Sequence, residues 1–301
     1  MPNVLILGGV SFNTMIHLEE FPEPRPQTLY AQRFHETLGS TGAGKALNLR
    51  RLGWDVTLHA PIGADEYGRQ IRTAFEHAGI TFVYDIDPAG TQRHINLMDA
   101  AGQRMSIFIV PGTFDLVFDR ARLEARIERQ DHVVLNIVNY CRTLIPAIKA
   151  RGKPIWVDLH SYDGANPYHD DFIQAADYLF LSSEALPDYR PFMQRMIAAG
   201  KRLVVCTHGA GGSTALTPDG EWIETPIVER YRVRDTNGAG DAFVAGVLHG
   251  VAAGRPLPVC LRLGTLVSGL CVTDDHLAAA ALSPELLADE YRREYGAEQL
   301  L

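Results

Sequence analysis

The sequence predicts an α/β fold with a mainly parallel central sheet, and three observations lead to this prediction. Short apolar runs rich in Val, Ile and Leu alternate with helical patterns, which is typical of parallel sheets covered by helices. The chain has 301 residues, of which 46% are hydrophobic and 21% charged, as in ordinary globular proteins. Two glycine-rich segments, Gly39–Ala46 and Asp235–Phe243, precede helical patterns. We therefore expect an α/β domain whose glycine loops approach a ligand.

Six apolar runs are predicted to be strands of the central sheet. Each is short, rich in Val, Ile and Leu, and separated from the next by a helical or polar stretch. In chain order they are Val4–Leu7, Val56–Ala60, His132–Asn136, Ile155–Asp158, Tyr178–Leu181 and Leu203–Cys206. The predicted helices are Lys45–Leu52, Glu66–Ala78, Thr143–Ala150, Arg190–Ala199, Ala242–Ala252 and Pro258–Leu270. This alternation favours parallel strands joined by helices.

Two stretches break the alternation. Leu29–Thr37 and Arg93–Ile109 mix apolar with polar residues, and Gly102 is placed to turn a hairpin in the second. The proline-rich Glu19–Gln27 cannot join a central strand. We expect a small accessory sheet that covers one edge of the main sheet. The predicted organisation is a single domain, residues 1–301, with lid insertions at roughly residues 11–38 and 91–110.

Charge and composition argue against several classes of protein. With 28 Lys and Arg against 36 Asp and Glu, the net charge is −8, so broad electrostatic binding of nucleic acid or anionic membranes is not expected. No apolar stretch approaches the roughly 18 residues that a membrane span needs. The four cysteines are far apart in apolar surroundings, which indicates reduced, buried thiols in a cytoplasmic protein. No histidine pair has zinc-site spacing.

The segment Asp235–Phe243, with the sequence DTNGAGDAF, has the chemistry of an anion site. Gly238, Ala239 and Gly240 are small enough for backbone amides to converge where a helix begins, and that end carries free N–H groups and a positive dipole. Asp241 falls in the first helical turn. A carboxylate beside a phosphate site suits phosphoryl transfer, because it accepts the hydroxyl proton while the amides stabilise the transferred group. The alternative is an aspartate that only caps the helix.

The segment Gly39–Ala46, with the sequence GSTGAGKA, matches most of the phosphate-binding pattern G-x-x-x-x-G-K. Ala46 lacks the hydroxyl that holds Mg²⁺ in that pattern. The preceding run RFHETL is also too polar for a buried central strand. Both observations argue against a true P-loop.

Several segments occur together in the order known from one protein family. DTNGAGDAF is accompanied by Phe21–Pro24 with Thr28, by Pro61–Gly68 and by Thr207–Gly212. These motifs resemble those of the ribokinase-like (PfkB) carbohydrate kinases, and the resemblance spans most of the chain. It implies a ribokinase-like three-layer sandwich, with a mainly parallel central sheet and a small β-sheet lid. The implied activity is transfer of the γ-phosphate of ATP to a hydroxyl of a small sugar or sugar derivative.

The resemblance also implies roles for individual residues. Asp241 corresponds to the catalytic base, and Gly238, Ala239 and Gly240 to the amides that hold the transferred phosphate. The ATP-binding positions are Thr207, Gly209, Gly212 and Thr236. The substrate positions are Asn13, Thr14, Gly39, Ser40, Gly44 and Lys45. Glu184 corresponds to a glutamate linked to Mg²⁺, and Asp235 to a residue that in many members helps to bind a monovalent cation such as K⁺.

Three positions depart from the family pattern. Gly44 stands where the family usually has an asparagine, and Asn13 or Thr14 where it has an aspartate that binds two hydroxyls. Leu181 replaces the asparagine of the Asn-x-x-Glu motif that ends in Glu184. Because a lost polar partner changes discrimination by orders of magnitude, we expect a substrate other than an ordinary ribose or fructose.

Lys45 has two interpretations. If it points inward, it suits an anionic substrate such as a sugar phosphate or a sugar acid. A solvated lysine at the start of a helix is the simpler interpretation.

Two further functions are compatible with the same motifs. One is a nucleoside kinase, in which a base contacts apolar residues near the lid, namely Phe12, Met15, Ile95, Leu97 and Met98. The other is a non-catalytic sugar or nucleotide sensor, against which the presence of Asp241 argues. The lids of several relatives pair, so the resemblance also implies a homodimer formed through the lid.

Overall fold

The computed structural model describes residues 1–100 and 102–296, which form two sheets and their flanking helices. The strands are β1 (Asn3–Leu7), β2 (Ser11–His17), β3 (Arg33–Gly39), β4 (Asp55–His59), β5 (Thr81–Val83), β6 (Arg93–Met98), β7 (Arg104–Val110), β8 (His132–Leu135), β9 (Ile155–Asp158), β10 (Tyr178–Ser182), β11 (Leu203–Thr207), β12 (Ser213–Leu216) and β13 (Trp222–Thr225). The helices are α1 (Thr41–Arg51), α2 (Glu66–His77), α3 (Arg120–Ile127), α4 (Asn139–Arg142), α5 (Ile145–Ala150), α6 (Asp170–Ala175), α7 (Arg190–Ala198), α8 (Ala239–Ala252), α9 (Leu257–Cys271) and α10 (Pro284–Tyr295). Ala101 and residues 297–301, which belong to the predicted domain, lie outside the described residues.

The larger sheet has the strand order β13-β12-β11-β10-β9-β8-β1-β4-β5. Strand β12 is antiparallel to β11 and β13, and the other neighbouring strands are parallel. All six predicted strands lie in this sheet, and the predicted mainly parallel α/β fold is confirmed.

Strand β1 shows why these runs are apolar throughout. Val4 and Ile6 pack into one hydrophobic cluster, whereas Leu5 and Leu7 pack into a second cluster on the opposite face. Alternate side chains of a strand point to opposite faces, and both faces here are covered by helices. No position in the middle of such a strand is left for a solvated side chain.

The smaller sheet has the order β3-β2-β6-β7 and forms the lid. Strands β6 and β7 are the predicted hairpin, and Gly102 in its turn has the positive φ of 78° that favours glycine. Strand β2 was not predicted. It lies within the predicted lid insertion and is buried along most of its length, but four of its seven residues are polar, so no apolar run indicates a strand there.

Both glycine-rich segments differ from the predicted loops. Helix α1 begins at Thr41 and α8 at Ala239, so most of these glycines lie in the first turns of helices. A Cβ at Gly42 would lie 2.5 Å from the Gly9 carbonyl oxygen. Several of these glycines therefore allow close approach of two backbones, and need not mark a loop.

Helices α8 and α9 also pack closely through glycine. A Cβ at Gly246 would lie 2.7 Å from the Cα of Gly264, and a Cβ at Gly250 would lie 2.8 Å from the Cα of Cys260. This contact fixes α8, and hence its N-terminus, against the core.

Within the part of the chain described, helices of sufficient length and apolarity to cross a bilayer are absent.

Candidate active site

A cleft of about 1130 Å³ separates the lid sheet from the carboxyl ends of the central strands. Ligands of open α/β sheets commonly bind outside these strand ends. The lining residues include Asn13, Asn96 and Ser106 from the lid sheet, and His160, Glu184 and Asp241 from the main sheet and its helices. The cleft therefore has polar groups on both walls.

The N-terminus of α8 opens into this cleft. Gly238 precedes the helix with a φ of 84°, and a Cβ there would lie 3.1 Å from the backbone of Leu277. Gly240 lines the cleft, and a Cβ there would meet no atom within 4 Å. The Ala239 N–H donates to the Thr236 carbonyl oxygen at 3.2 Å. The first N–H groups of a helix lack intrahelical acceptors, so this end is still suited to an anion. Gly238 is required by the turn, whereas Gly240 keeps the cleft open.

Asp241, in the first turn of α8, is ion-paired with Lys45 from α1. The Lys45 side chain is only 1% exposed, with its Nζ 2.5 Å from Asp241 Oδ1 and 3.1 Å from Asp158 Oδ2. The interpretation of Lys45 as a solvated lysine is therefore wrong. It does point inward, but it contacts two carboxylates and does not line the cleft.

His160 completes this cluster beside Asp158. Its Nδ1 lies 3.2 Å from Asp158 Oδ2, and its backbone N–H donates to Asp158 Oδ1 at 3.0 Å. His160 has a φ of 54°, which is unusual for a residue other than glycine. This backbone conformation turns the chain sharply after β9. The imidazole faces the cleft.

The pKa values of Asp241 and Asp158 shift in opposite directions, although burial and Lys45 act on both carboxyl groups. Burial, together with the nearby Asp158 charge, raises the pKa of Asp241, although Lys45 and His160 oppose the rise. For Asp158, His160 and Lys45 outweigh burial and lower the pKa. The two carboxylates raise the pKa of Lys45 despite its burial. Of the two acids, Asp241 is therefore the one that accepts a proton more readily.

The positions predicted to bind substrate separate into two groups. Asn13 and Ser40 line the cleft, whereas Thr14, Gly39, Gly44 and Lys45 do not. Adjacent residues of a strand face opposite sides, so Asn13 and Thr14 of β2 cannot both face the cleft. The Oδ1 atom of Asn13 is buried and has no hydrogen-bond partner among the described residues.

The positions predicted to bind ATP lie around the ends of β10 and β11. Thr207 ends β11, and its carbonyl oxygen accepts from the Ser183 N–H at 2.9 Å, beside Glu184. Gly212 has a φ of 86°, and a Cβ there would lie 2.2 Å from the Thr225 carbonyl oxygen. Gly209 lies in the exposed turn between them. On the lid side, Thr236 donates to the Gly102 carbonyl oxygen at 3.1 Å.

Asp235 and Glu184, the predicted cation-linked residues, have different surroundings. The buried Asp235 accepts from the Asn237 N–H at Oδ1, and its Oδ2 is unpartnered among the described residues. Glu184 is exposed at the cleft and accepts from the Ser161 hydroxyl at 2.8 Å. Across residues 1–100 and 102–296, no three His, Cys, Asp or Glu side chains are grouped to hold a metal ion.

Sequence reasoning missed several residues in and beside the cleft. Asp158 carries no local signal, since an aspartate at the end of a buried strand is common in α/β folds. Asn96 and Ser106, which are hydrogen-bonded at 2.7 Å, are ordinary polar positions of the lid hairpin. The apolar residues proposed to contact a nucleoside base, Phe12, Met15, Ile95, Leu97 and Met98, do not line the cleft.

The model of the pfkB family of carbohydrate kinases matches residues 1–283. The chain belongs to this family. It is 32% identical over 287 residues to acarbose 7(IV)-phosphotransferase of an Actinoplanes species, covering 93% of this chain and 95% of the relative. This kinase is therefore an ATP-dependent sugar kinase.

Solved structures agree with this family membership. A microbiome-derived acarbose kinase has a TM-score of 0.86 at 30% identity, covering 95% of this chain and 97% of the other. A nucleoside kinase of Burkholderia thailandensis in complex with inosine has a TM-score of 0.81 at 18% identity, covering 97% and 98%. At that identity, the second comparison shows the shared fold alone.

Two glycine substitutions in this kinase are expected to have different effects. Gly238→Ala forces a side chain into a left-handed φ against Leu277, so we expect a loss of about 1–2 kcal/mol in the free energy of unfolding together with a loss of activity. Gly240→Ala adds a methyl group to open cleft space and should lower turnover while leaving the stability unchanged. Chemical denaturation and ADP release measure the two properties. Equal stability of the two variants would contradict the conclusion that the turn before α8 requires glycine at Gly238.

Proposed function

We propose that Asp241 is the general base of this sugar kinase, and that the backbone amides at the N-terminus of α8, those of Gly238 and Gly240 before that of Ala239, hold the transferred phosphoryl group. The observation that carries this proposal is a buried carboxylate in the first turn of α8, facing the cleft beside the helix N-terminus. As the acceptor oxygen bonds to the γ-phosphorus, its proton passes to Asp241. The bond from that phosphorus to the bridging oxygen breaks, and ADP leaves.

We propose that ATP lies between the end of β11 and the N-terminus of α8, with Thr207, Gly209, Gly212 and Thr236 along it. Mg²⁺ commonly uses one or two carboxylates together with phosphate oxygens and water, so Glu184 at the cleft fits a Mg²⁺ ion bound with ATP. The unpartnered Oδ2 of buried Asp235 fits a monovalent cation such as K⁺. When bound, Mg²⁺ would neutralise phosphate charge.

The two cation proposals are tested by ion removal. Chelation of Mg²⁺ by EDTA should abolish ADP formation, since the net anionic cleft then lacks the charge that ATP requires. Replacement of K⁺ by tetramethylammonium should lower turnover in the wild type and have no effect in Asp235→Ala. A K⁺ response that persists in Asp235→Ala would exclude Asp235 as its site.

We propose that the acceptor is larger than a monosaccharide and resembles acarbose, the compound for which two relatives are named. The cleft volume of about 1130 Å³ exceeds the roughly 300–1000 Å³ of typical small-molecule sites, although it also has to admit part of ATP. Phe108, Phe114 and Tyr168 offer aromatic faces for sugar rings, and the unpartnered Asn13 Oδ1 offers an acceptor for a hydroxyl.

We propose that the lid supports a homodimer. On the face turned away from the cleft, the lid sheet exposes large apolar side chains, among them Phe34 at 71% and Ile107 at 45%. Sedimentation that shows only a monomer at micromolar concentration would exclude the homodimer.

We also propose that residues 1–301 are one domain, which implies a single unfolding transition. Four buried free cysteines support a reducing compartment, for which we propose the cytoplasm.

Asp241→Asn should lower kcat by roughly 10²–10⁴-fold, because an amide cannot accept the hydroxyl proton. The KM for ATP should change little. ADP release measures both, with the exposed Asp55→Asn as a control that should behave like the wild type. Turnover of Asp241→Asn at the wild-type rate would exclude Asp241 as the base.

Acarbose should be phosphorylated with a kcat/KM at least tenfold above that for ribose, fructose or inosine. Asn13→Ala should raise the KM for the acceptor about tenfold and leave the KM for ATP unchanged, because a buried acceptor for one hydroxyl is lost. The measurement is ADP release across the acceptor panel. Preference for inosine would favour the nucleoside kinase alternative.

A further inference from the structure

Lys45 is closed off from the cleft that its partner Asp241 lines. Its side chain is 1% exposed, and both polar contacts of its Nζ are carboxylates, Asp241 on α8 and Asp158 at the end of β9. A lysine buried in this way cannot bind a substrate in the cleft. Any effect on the reaction must pass through the carboxylates that it contacts, and Asp241 is the one that lines the cleft.

Gly44, the residue before Lys45, provides the space that Asp241 occupies. A Cβ at Gly44 would lie 2.4 Å from Asp241 Oδ2 and 2.8 Å from Asp241 Cβ. Even alanine would therefore displace the carboxyl group, and the asparagine that the family has at this position would displace it further. Two consecutive residues of α1 thus determine where the Asp241 carboxylate lies. Gly44 leaves space for it, and Lys45 attracts it by charge.

The charged and titratable groups around Asp241 come from several elements. Lys45 approaches from α1, Asp158 from β9 and His160 from the segment after β9, while Asp235 precedes α8 and Cys271 ends α9. Arg104 of the lid strand β7 acts on His160. Lys45 is the cation in direct contact with Asp241 among these groups. Burial alone favours a neutral carboxyl group, and Lys45 opposes this.

We propose that Gly44, Lys45 and Asp158 form a positioning unit that holds the Asp241 carboxylate in the place and in the charge state that proton transfer requires. This proposal rests on the role of Asp241 as the base. Lys45 is a positioning residue, because it acts on the base and does not contact the substrate.

Asp158 gives the unit a specific advantage during the reaction. When the acceptor hydroxyl passes its proton to Asp241, that carboxylate loses its charge, and Lys45 loses one of its two anionic partners. Asp158 remains ionised 3.1 Å away, so the buried ammonium group keeps a counter-ion throughout. Without Asp158, proton transfer would leave a buried cation unpaired, which is energetically costly.

The test is the pH dependence of kcat/KM, whose acid limb reports ionisation of the base in the free enzyme. Lys45→Met removes the stabilising cation and should move this limb to higher pH by about one unit or more. Asp158→Asn removes the competing anion, keeps an acceptor for the His160 N–H, and should move the limb to lower pH. A general loss of packing would not produce shifts of opposite sign.

Lys201→Met is the matched control, since Lys201 is also a buried lysine but lies outside the cleft, with its Nζ donating to the Gln174 carbonyl oxygen. Its acid limb should coincide with that of the wild type. If circular dichroism shows that Lys45→Met does not fold, the acid limb of Asp158→Asn alone tests the proposal. A shift of its limb to lower pH supports the proposal, and an unchanged or raised limb overturns it.

Failure of this proposal is distinguishable from failure of the proposed function. If Asp241→Asn is inactive and the limbs of Lys45→Met and Asp158→Asn both match the wild type, Asp241 remains the base and the positioning unit is excluded. If Asp241→Asn keeps wild-type turnover, the base assignment fails, and this proposal fails with it. Gly44→Ala should lower kcat at least tenfold with an unchanged KM for ATP, and unaltered kcat would also contradict the unit.

Discussion

The buried ammonium group of Lys45 is the constraint on which the site depends. A lysine with 1% exposure can remain charged only where carboxylates replace the water that it has lost. Those carboxylates are Asp158 and Asp241, so a single side chain of α1 ties the end of strand β9 to the first turn of α8. The relative positions of these three elements determine where the proposed base and the helix N-terminus meet the cleft.

Glycine makes this arrangement sterically possible. Gly42 lets α1 approach the backbone after β1, Gly44 leaves space for the Asp241 carboxyl group, and Gly246 lets α8 lie against α9. Each position would bring a Cβ within 3.0 Å of another atom, so none tolerates a larger residue without movement. The glycine-rich segments are therefore packing surfaces of helices as well as parts of the site.

The departures from the family pattern acquire a physical explanation in this geometry. The usual asparagine of the sugar-site motif is replaced by Gly44, which makes room for an ion-paired carboxylate, so the change concerns the proposed base as well as the acceptor. In the proposed acceptor site, Asn13 and other lid residues such as Asn96 and Ser106 present polar groups to the cleft instead. Despite a net charge of −8, the helix N-terminus offers a local site for anions that needs no basic surface.

The sequence by itself determined the α/β class, the six central strands and the place of Asp241 at the start of a helix, because short apolar runs and the DTNGAGDAF motif are local signals. It assigned residues 11–38 to the lid but did not reveal strand β2 within them, since the polar Ser11, Asn13 and His17 of this strand are buried only by contacts made in the tertiary structure. It also could not reveal that Lys45 meets Asp158 and Asp241, which are 113 and 196 residues away along the chain. Only the tertiary structure decided that contact, because the charge of a buried lysine depends on groups that folding brings to it from distant elements.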